Sequence, residues 1–147
     1  MLREKIAEEM RAAIKAREQA RVATLRMLMT AVKNTEVEKL HELSDDEVLD
    51  VIAREAKRRR ESIEAFETGG RADLVEKETA ELNVLESYLP DKLSDEELTA
   101  LVDQAVAETG ASSPKQMGEV MKALMPKIRG RADGAQVSAL VKAKLGA

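Results

Sequence analysis

Cysteine and tryptophan are absent from this 147-residue chain, and its aromatic side chains are one phenylalanine, Phe66, and one tyrosine, Tyr88. Without thiols there can be no disulfide and no thiolate metal site. With a single histidine, His41, the usual nucleophile–base pairs of hydrolytic and transfer enzymes are nearly excluded. Two aromatics make no platform on which single-stranded bases could stack. Neither a P-loop nor a dinucleotide fingerprint occurs. No apolar run approaches the roughly 18 residues that span a bilayer. The opening residues, MLREKIAEEMRAAIK, are charged throughout and hold no signal-peptide core. The expectation is a soluble, cytoplasmic protein that touches no membrane and has no catalytic residue, no metal site and no cofactor.

What remains is 44% hydrophobic and 35% charged. A core built from Leu, Ile, Val, Met and Ala, with few aromatic or β-branched runs, favours helices over strands. Apolar residues recur at helical spacing: Leu25, Leu28, Met29 and Val32; Leu98, Leu101, Val102 and Ala105; Met117, Val120, Met121 and Leu124. Ser44-Asp45-Asp46-Glu47 and Ser94-Asp95-Glu96-Glu97 read as capping boxes. Ser113 precedes a proline at a first helical position, and Asp133 can cap a last helix. Gly69-Gly70, Gly110 and Gly130 fall where helices should stop. The reading is all-α, with helices over roughly 2–17, 19–41, 44–68, 71–88, 94–109, 114–125 and 133–146. Pro90, within YLPDKLS, marks the expected boundary between a larger N-terminal helical domain, 1–90, and a small three-helix C-terminal domain, 91–147.

Net charge is −4, but it is unevenly spread. Residues 109–147 hold seven cations (Lys115, Lys122, Lys127, Arg129, Arg131, Lys142, Lys144) against Glu119 and Asp133, a balance of +5 that leaves −9 on the rest. Within that tail, Lys115, Lys122, Lys127, Arg129 and Arg131, with the glycine hinge Gly130, form the candidate phosphate-contacting set. Pro126–Arg131 reads as a loop that concentrates three cations before the amides of the last helix. An ordinary basic surface loop fits the same spacing equally well. Met117, Met121 and Met125 read as core filler. The run Lys57-Arg58-Arg59-Arg60 invites a nucleic-acid reading, yet Arg59 shares the apolar stripe of Val48, Ile52, Ala56, Ile63 and Phe66, and so does Glu55. A structural Glu55–Arg59 ion pair at a helix junction is therefore preferred, with Arg54, Lys57, Arg58 and Arg60 on a solvated face. His41 reads as a solvated or capping residue.

ATLRMLMTAVKN (23–34), RRRESIEAFETGGRADLVEKE (58–78), SYLPDKLSDEEL (87–98) and GASSPKQMGEVMKALMPKIRGRADG (110–134) together resemble the bacterial YqeY family. That family is related to the C-terminal tail of the GatB subunit of the tRNA-dependent amidotransferase, and the last stretch is the most tail-like. The resemblance implies an all-α fold of a larger N-terminal and a smaller C-terminal helical domain. It also implies a tRNA-holding role beside glutamine-dependent carbon–nitrogen ligation, since in the amidotransferase the related tail is an appendage and the reaction sites lie elsewhere. Sharing a tail is not sharing an active site. Glu119 departs from the lysine of the family's MGKVM pattern and thins the basic face; Lys115, Lys122, Lys127, Arg129 and Arg131 match basic positions. The expected partner is tRNA, held by shape and phosphate contacts, together with a tRNA synthetase or amidotransferase. The alternative is a protein-interaction adaptor docking on such an enzyme. A third reading, a genuine ligase subunit, needs glutamine or ATP chemistry that no residue here can be assigned.

Overall fold

In the computed structural model, which describes residues 1–146, seven α-helices and one 3₁₀ turn carry the chain, and no strand occurs among the described residues. Ala147, the last residue of the expected C-terminal domain, lies outside them. The chain divides into two compact units, Met1–Leu89 and Pro90–Ala147.

Unit 1 is four helices: α1 (Leu2–Lys15), α2 (Gln19–Lys39), α3 (Asp45–Thr68) and α4 (Ala72–Glu86). α1 packs on α2, α3 on α4, and α2 touches both α3 and α4. The two hairpins turn on left-handed residues, Arg17 (φ 59°) and Gly70 (φ 70°). The helical stripes supply the core: Ile6, Leu25, Leu28, Val32, Val48, Val51, Ile52, Ala56 and Leu85 are all buried. Thr24, also buried, donates its hydroxyl to the Ala20 carbonyl at 3.0 Å, which satisfies it locally. Tyr88 donates its hydroxyl to Glu9, which pairs with Arg21 at 3.6 Å, so the end of α4 is held against α1 and α2. Burial first, and then the Glu9 contact, push the Tyr88 phenol above its ordinary value.

The cap at Ser44 is complete. The Glu47 amide donates to Ser44 Oγ at 3.2 Å, and the Ser44 amide donates to Glu47 Oε1 at 3.1 Å. Lys39 adds a bond to Glu47 Oε2 at 2.8 Å. The Lys39 ammonium, and then the Ser44 amide, hold the Glu47 carboxyl down from 4.5 to about 2. A depressed folded value means that the stability it supplies is present above about pH 4.5 and is lost as pH falls toward 2. Glu47→Gln should therefore flatten the acid limb of a Tm-against-pH curve in that window; a variant with an unchanged limb would remove Glu47 from the acid transition.

Unit 2 is α5 (Asp95–Thr109), a 3₁₀ turn (Pro114–Gln116) that leads into α6 (Met117–Ile128), and α7 (Gly134–Lys144). α5 packs on α6 and α7 around Leu98, Val102, Ala105, Val120, Leu124, Ile128, Val137, Val141 and Leu145. Met117, Met121 and Met125 line this core as half-buried filler. Ser94 accepts from the Glu97 amide at 3.1 Å, and Asp133 accepts from the Ala135 amide at 3.0 Å. Pro114 sits in the first turn as expected, but the Ser113 hydroxyl makes no cap bond.

One boundary needs correction. The sequence reading stops the sixth helix at 125 and treats Pro126–Arg131 as a loop, whereas α6 runs on through Pro126 to Ile128. Proline removes one helical donor and crowds the preceding turn. Here Ile128, four residues after Leu124 and 3% exposed, anchors the extra turn in the core, and the Arg129 amide still reaches the Met125 carbonyl at 3.1 Å. The helix stops at Arg129, whose ψ of 121° leaves the helical region, and Gly130 at φ 72° completes a turn closed by the Arg131 amide on the Ile128 carbonyl at 2.8 Å.

Candidate nucleic-acid interface

α6 buries Val120, Leu124 and Ile128, and the opposite side of the same segment exposes Lys115, Gly118, Glu119, Lys122 and Pro126. Within α6 this follows from the 3.6-residue period, which puts Glu119 and Lys122, three residues apart, on one side; Lys115 precedes them in the 3₁₀ turn and is exposed there. Lys115 and Lys122 form no ion pair among the described residues. Glu119 stands between them in sequence, so an acid interrupts the two cations. A side chain at Gly118 would meet nothing within 4 Å, so the backbone is open to close approach there.

The other sequence-predicted cations are placed differently. Lys127 is exposed but leans toward Glu108 of α5 at 4.0 Å. Lys144 pairs with Asp103 of α5 at 2.9 Å. α5 carries acid to meet both, and the +5 of the tail is thereby partly neutralised within its own unit. Arg129 and Gly130 are half-buried. Arg131 is a clasp: its Nε donates to the Asp91 carbonyl at 2.8 Å, and its own carbonyl accepts from the Leu93 amide at 2.9 Å. Arg131→Ala should cost about 1–2 kcal/mol, since it removes a charge-assisted bond to a main-chain oxygen. Urea unfolding measures this, and a loss of tRNA affinity without a loss of stability would instead make Arg131 a direct contact.

That clasp brings in a residue the sequence reading passed over. Lys92, exposed between Asp91 and Leu93, is held beside the 129–131 loop although Asp91 and Arg131 are forty residues apart in sequence. Only the fold juxtaposes them. The start of α7 is less open to anions than its position suggests, because the Asp133 carboxylate already occupies the Ala135 amide and Gln136 turns to Asp95 at 3.1 Å.

In unit 1 the basic run resolves as a structural cluster. Arg59 Nε lies 2.8 Å from Glu81 and 3.4 Å from Glu78, both on α4, and its guanidinium is 4.0 Å from Glu55. The expected Glu55 partner is present, but the α4 carboxylates are nearer. Arg59 NH2 also points at Met27 Sδ at 3.1 Å. Arg60 pairs with Glu86, and Arg58 with Glu55. His41 is exposed, with Nδ1 2.8 Å from the Glu42 carbonyl and Nε2 3.7 Å from Glu47. A groove of about 450 Å³ between α2 and α4 is floored by Ala20, Ala23, Thr24, Ala80 and Val84 and rimmed by Glu18, Arg21, Lys77 and Glu81. Among the described residues no group of three His, Cys, Asp or Glu side chains could hold a metal ion, and no helix is long and apolar enough to cross a membrane.

Comparison with known proteins adds the context. The family model described as Yqey-like protein matches residues 3–145. "Altered inheritance of mitochondria protein 41, mitochondrial" from Kluyveromyces lactis is 35% identical over 111 residues, covering 73% of this chain and 60% of that protein. The protein of the same name from Pyrenophora tritici-repentis is 29% identical over 142 residues, 95% of this chain and 78% of its own. The protein called C22F3.15 from Schizosaccharomyces pombe is 28% identical over 94 residues, 64% of this chain and 73% of its own. This chain spans about three fifths of the length of the first yeast relatives it matches.

Proposed function

We propose, from the premise that this chain belongs to the Yqey-like protein family, that it is a non-catalytic tRNA-binding module serving tRNA-dependent amidation or aminoacylation. One observation carries this reading. Lys115, in the 3₁₀ turn, and Lys122, on α6, are exposed, form no ion pair among the described residues and both lie in the segment most like the amidotransferase tail. Lys127 adds a third exposed cation, and Lys92 with the 129–131 loop a second cationic edge. Cations spread along a helix with no aromatic beside them suit phosphates rather than bases. Binding should then follow the shape of tRNA and be sensitive to salt. The carbon–nitrogen ligation with glutamine as donor is assigned to a partner synthetase or amidotransferase. The proposed setting is the cytoplasm; the names of the fungal relatives place those proteins in mitochondria.

Titration of bulk tRNA into the ¹⁵N-labelled chain tests the placement. Resonances of residues 115–131 and of Lys92 should shift first, and those of α3 should stay. Shifts centred on the Arg58–Arg60 run would overturn the assignment.

The second reading, a protein-interaction adaptor, is favoured by a different observation, the exposed apolar residues Val37 and Leu40 at one end of unit 1.

A further inference from the structure

α2 ends at Lys39, and the next residue, Leu40, lies in the left-handed region at φ 61°, ψ 29°. Glycine or asparagine takes that conformation at a helix end far more readily than a leucine does. Burial offers no compensation, because Leu40 is 90% exposed. Val37, in the last turn of α2, is 69% exposed, and Met1 is 79% exposed. Arg3 draws the start of α1 to this end, pairing with Glu36 at 3.0 Å and Glu42 at 3.4 Å on either side of the Val37–Leu40 stretch. Single exposed apolar residues are ordinary. A strained leucine, exposed beside two others at one end of a helical unit, breaks a local rule with no gain to the fold.

The surroundings are acidic. Residues 36–47 bring six carboxylates (Glu36, Glu38, Glu42, Asp45, Asp46, Glu47) to this end against Lys39 and Arg3 of α1, so acids remain in excess. Glu38, Glu42, Asp45 and Asp46 are exposed. We infer that this acidic, leucine-tipped end of unit 1 docks into an apolar cleft rimmed by lysine or arginine on a partner protein. Charge selects this occupant. A phosphate backbone or an anionic lipid face would be repelled by the carboxylates. A second copy would bring the same carboxylates together. A basic-rimmed cleft takes Leu40 as its anchor and pairs the surrounding acids, the division between apolar centre and polar rim that specific interfaces use. The inference concerns unit 1 alone and stands apart from the tRNA reading of unit 2.

The test captures partners on the tagged full chain from nuclease-treated extract of the source organism. It compares wild type, Leu40→Gly and the pair Glu38→Lys/Glu42→Lys, then titrates whichever protein is identified. Expected is one protein held at equal stoichiometry, its affinity lowered about tenfold or more in each variant and weakened by salt, with a basic-rimmed apolar cleft on its surface. Leu40→Gly should meanwhile keep or raise Tm by a few degrees, since it relieves the left-handed leucine. Equal capture by all three proteins, capture of only a second copy or of lipid, or no capture would overturn the inference. So would a fall in Tm for Leu40→Gly, which would make Leu40 a residue of the fold.

Discussion

Replacing Lys115, Lys122 and Lys127 together by glutamine is expected to lower tRNA affinity by about tenfold to a hundredfold near 0.1 M salt, and to reduce the slope of log affinity against log salt by about two to three. These three cations can be removed at little cost to the fold. Lys115 and Lys122 form no ion pair among the described residues, and Lys127 faces Glu108 only at 4.0 Å in an exposed pair, a geometry worth little. Stability should therefore stay within about 0.5 kcal/mol of wild type. Replacing Arg131 as well would mix folding with binding, because its Nε holds the Asp91 carbonyl. The loss should be uniform across tRNAs, as phosphate contacts carry no sequence information. An unchanged slope in the triple variant would remove α6 from the interface.

Arg59→Ala is expected to destabilise unit 1 by about 3 kcal/mol, read as a shift in the urea midpoint at constant m. The guanidinium, 11% exposed, lies against Glu78 and Glu81 and 4.0 Å from Glu55, carboxylates whose side chains are 18%, 15% and 12% exposed. Its removal takes the α3 cation from Glu78 and Glu81, while Glu55 keeps Arg58 at 3.4 Å. An intact pair of this kind adds little over an apolar replacement, but a broken one leaves charge that neither water nor a partner covers. Adding Glu78→Gln and Glu81→Gln to Arg59→Ala should consequently recover a large part of the loss. A single variant as stable as wild type would mean that the α3–α4 contact rests on its apolar stripe alone.

What could be read from the sequence was local. Ser44, Ser94 and Asp133 cap helices because cap chemistry is settled within three residues, and the stripes through Leu25, Leu98 and Val120 are buried as their spacing implies. The reading failed where a distant element decides. Pro126 has the local signature of a helix stop, but Ile128 is pulled into a core formed with α5 and α7, and one more turn forms. Glu55 was visible as a partner of Arg59 because it lies one turn away, whereas Glu78 and Glu81 arrive with α4. The candidate site fared likewise. A charge sum along residues 109–147 cannot register that α5 folds back with Glu108 and Asp103 against Lys127 and Lys144, nor that Lys92 comes to lie beside the Arg131 loop. Leu40 gave no warning: nothing in its type marks a left-handed helix end, and the helix reads as running to 41.

The binding of bulk tRNA to the intact chain, followed by fluorescence anisotropy over a salt series with a hairpin duplex as control, tests the central claim most directly. Micromolar or tighter binding that prefers tRNA over the hairpin and falls steeply with salt is the result expected of a module that holds tRNA through α6 and its flanking loop. Absence of binding at low salt, or equal binding of the hairpin, would contradict it.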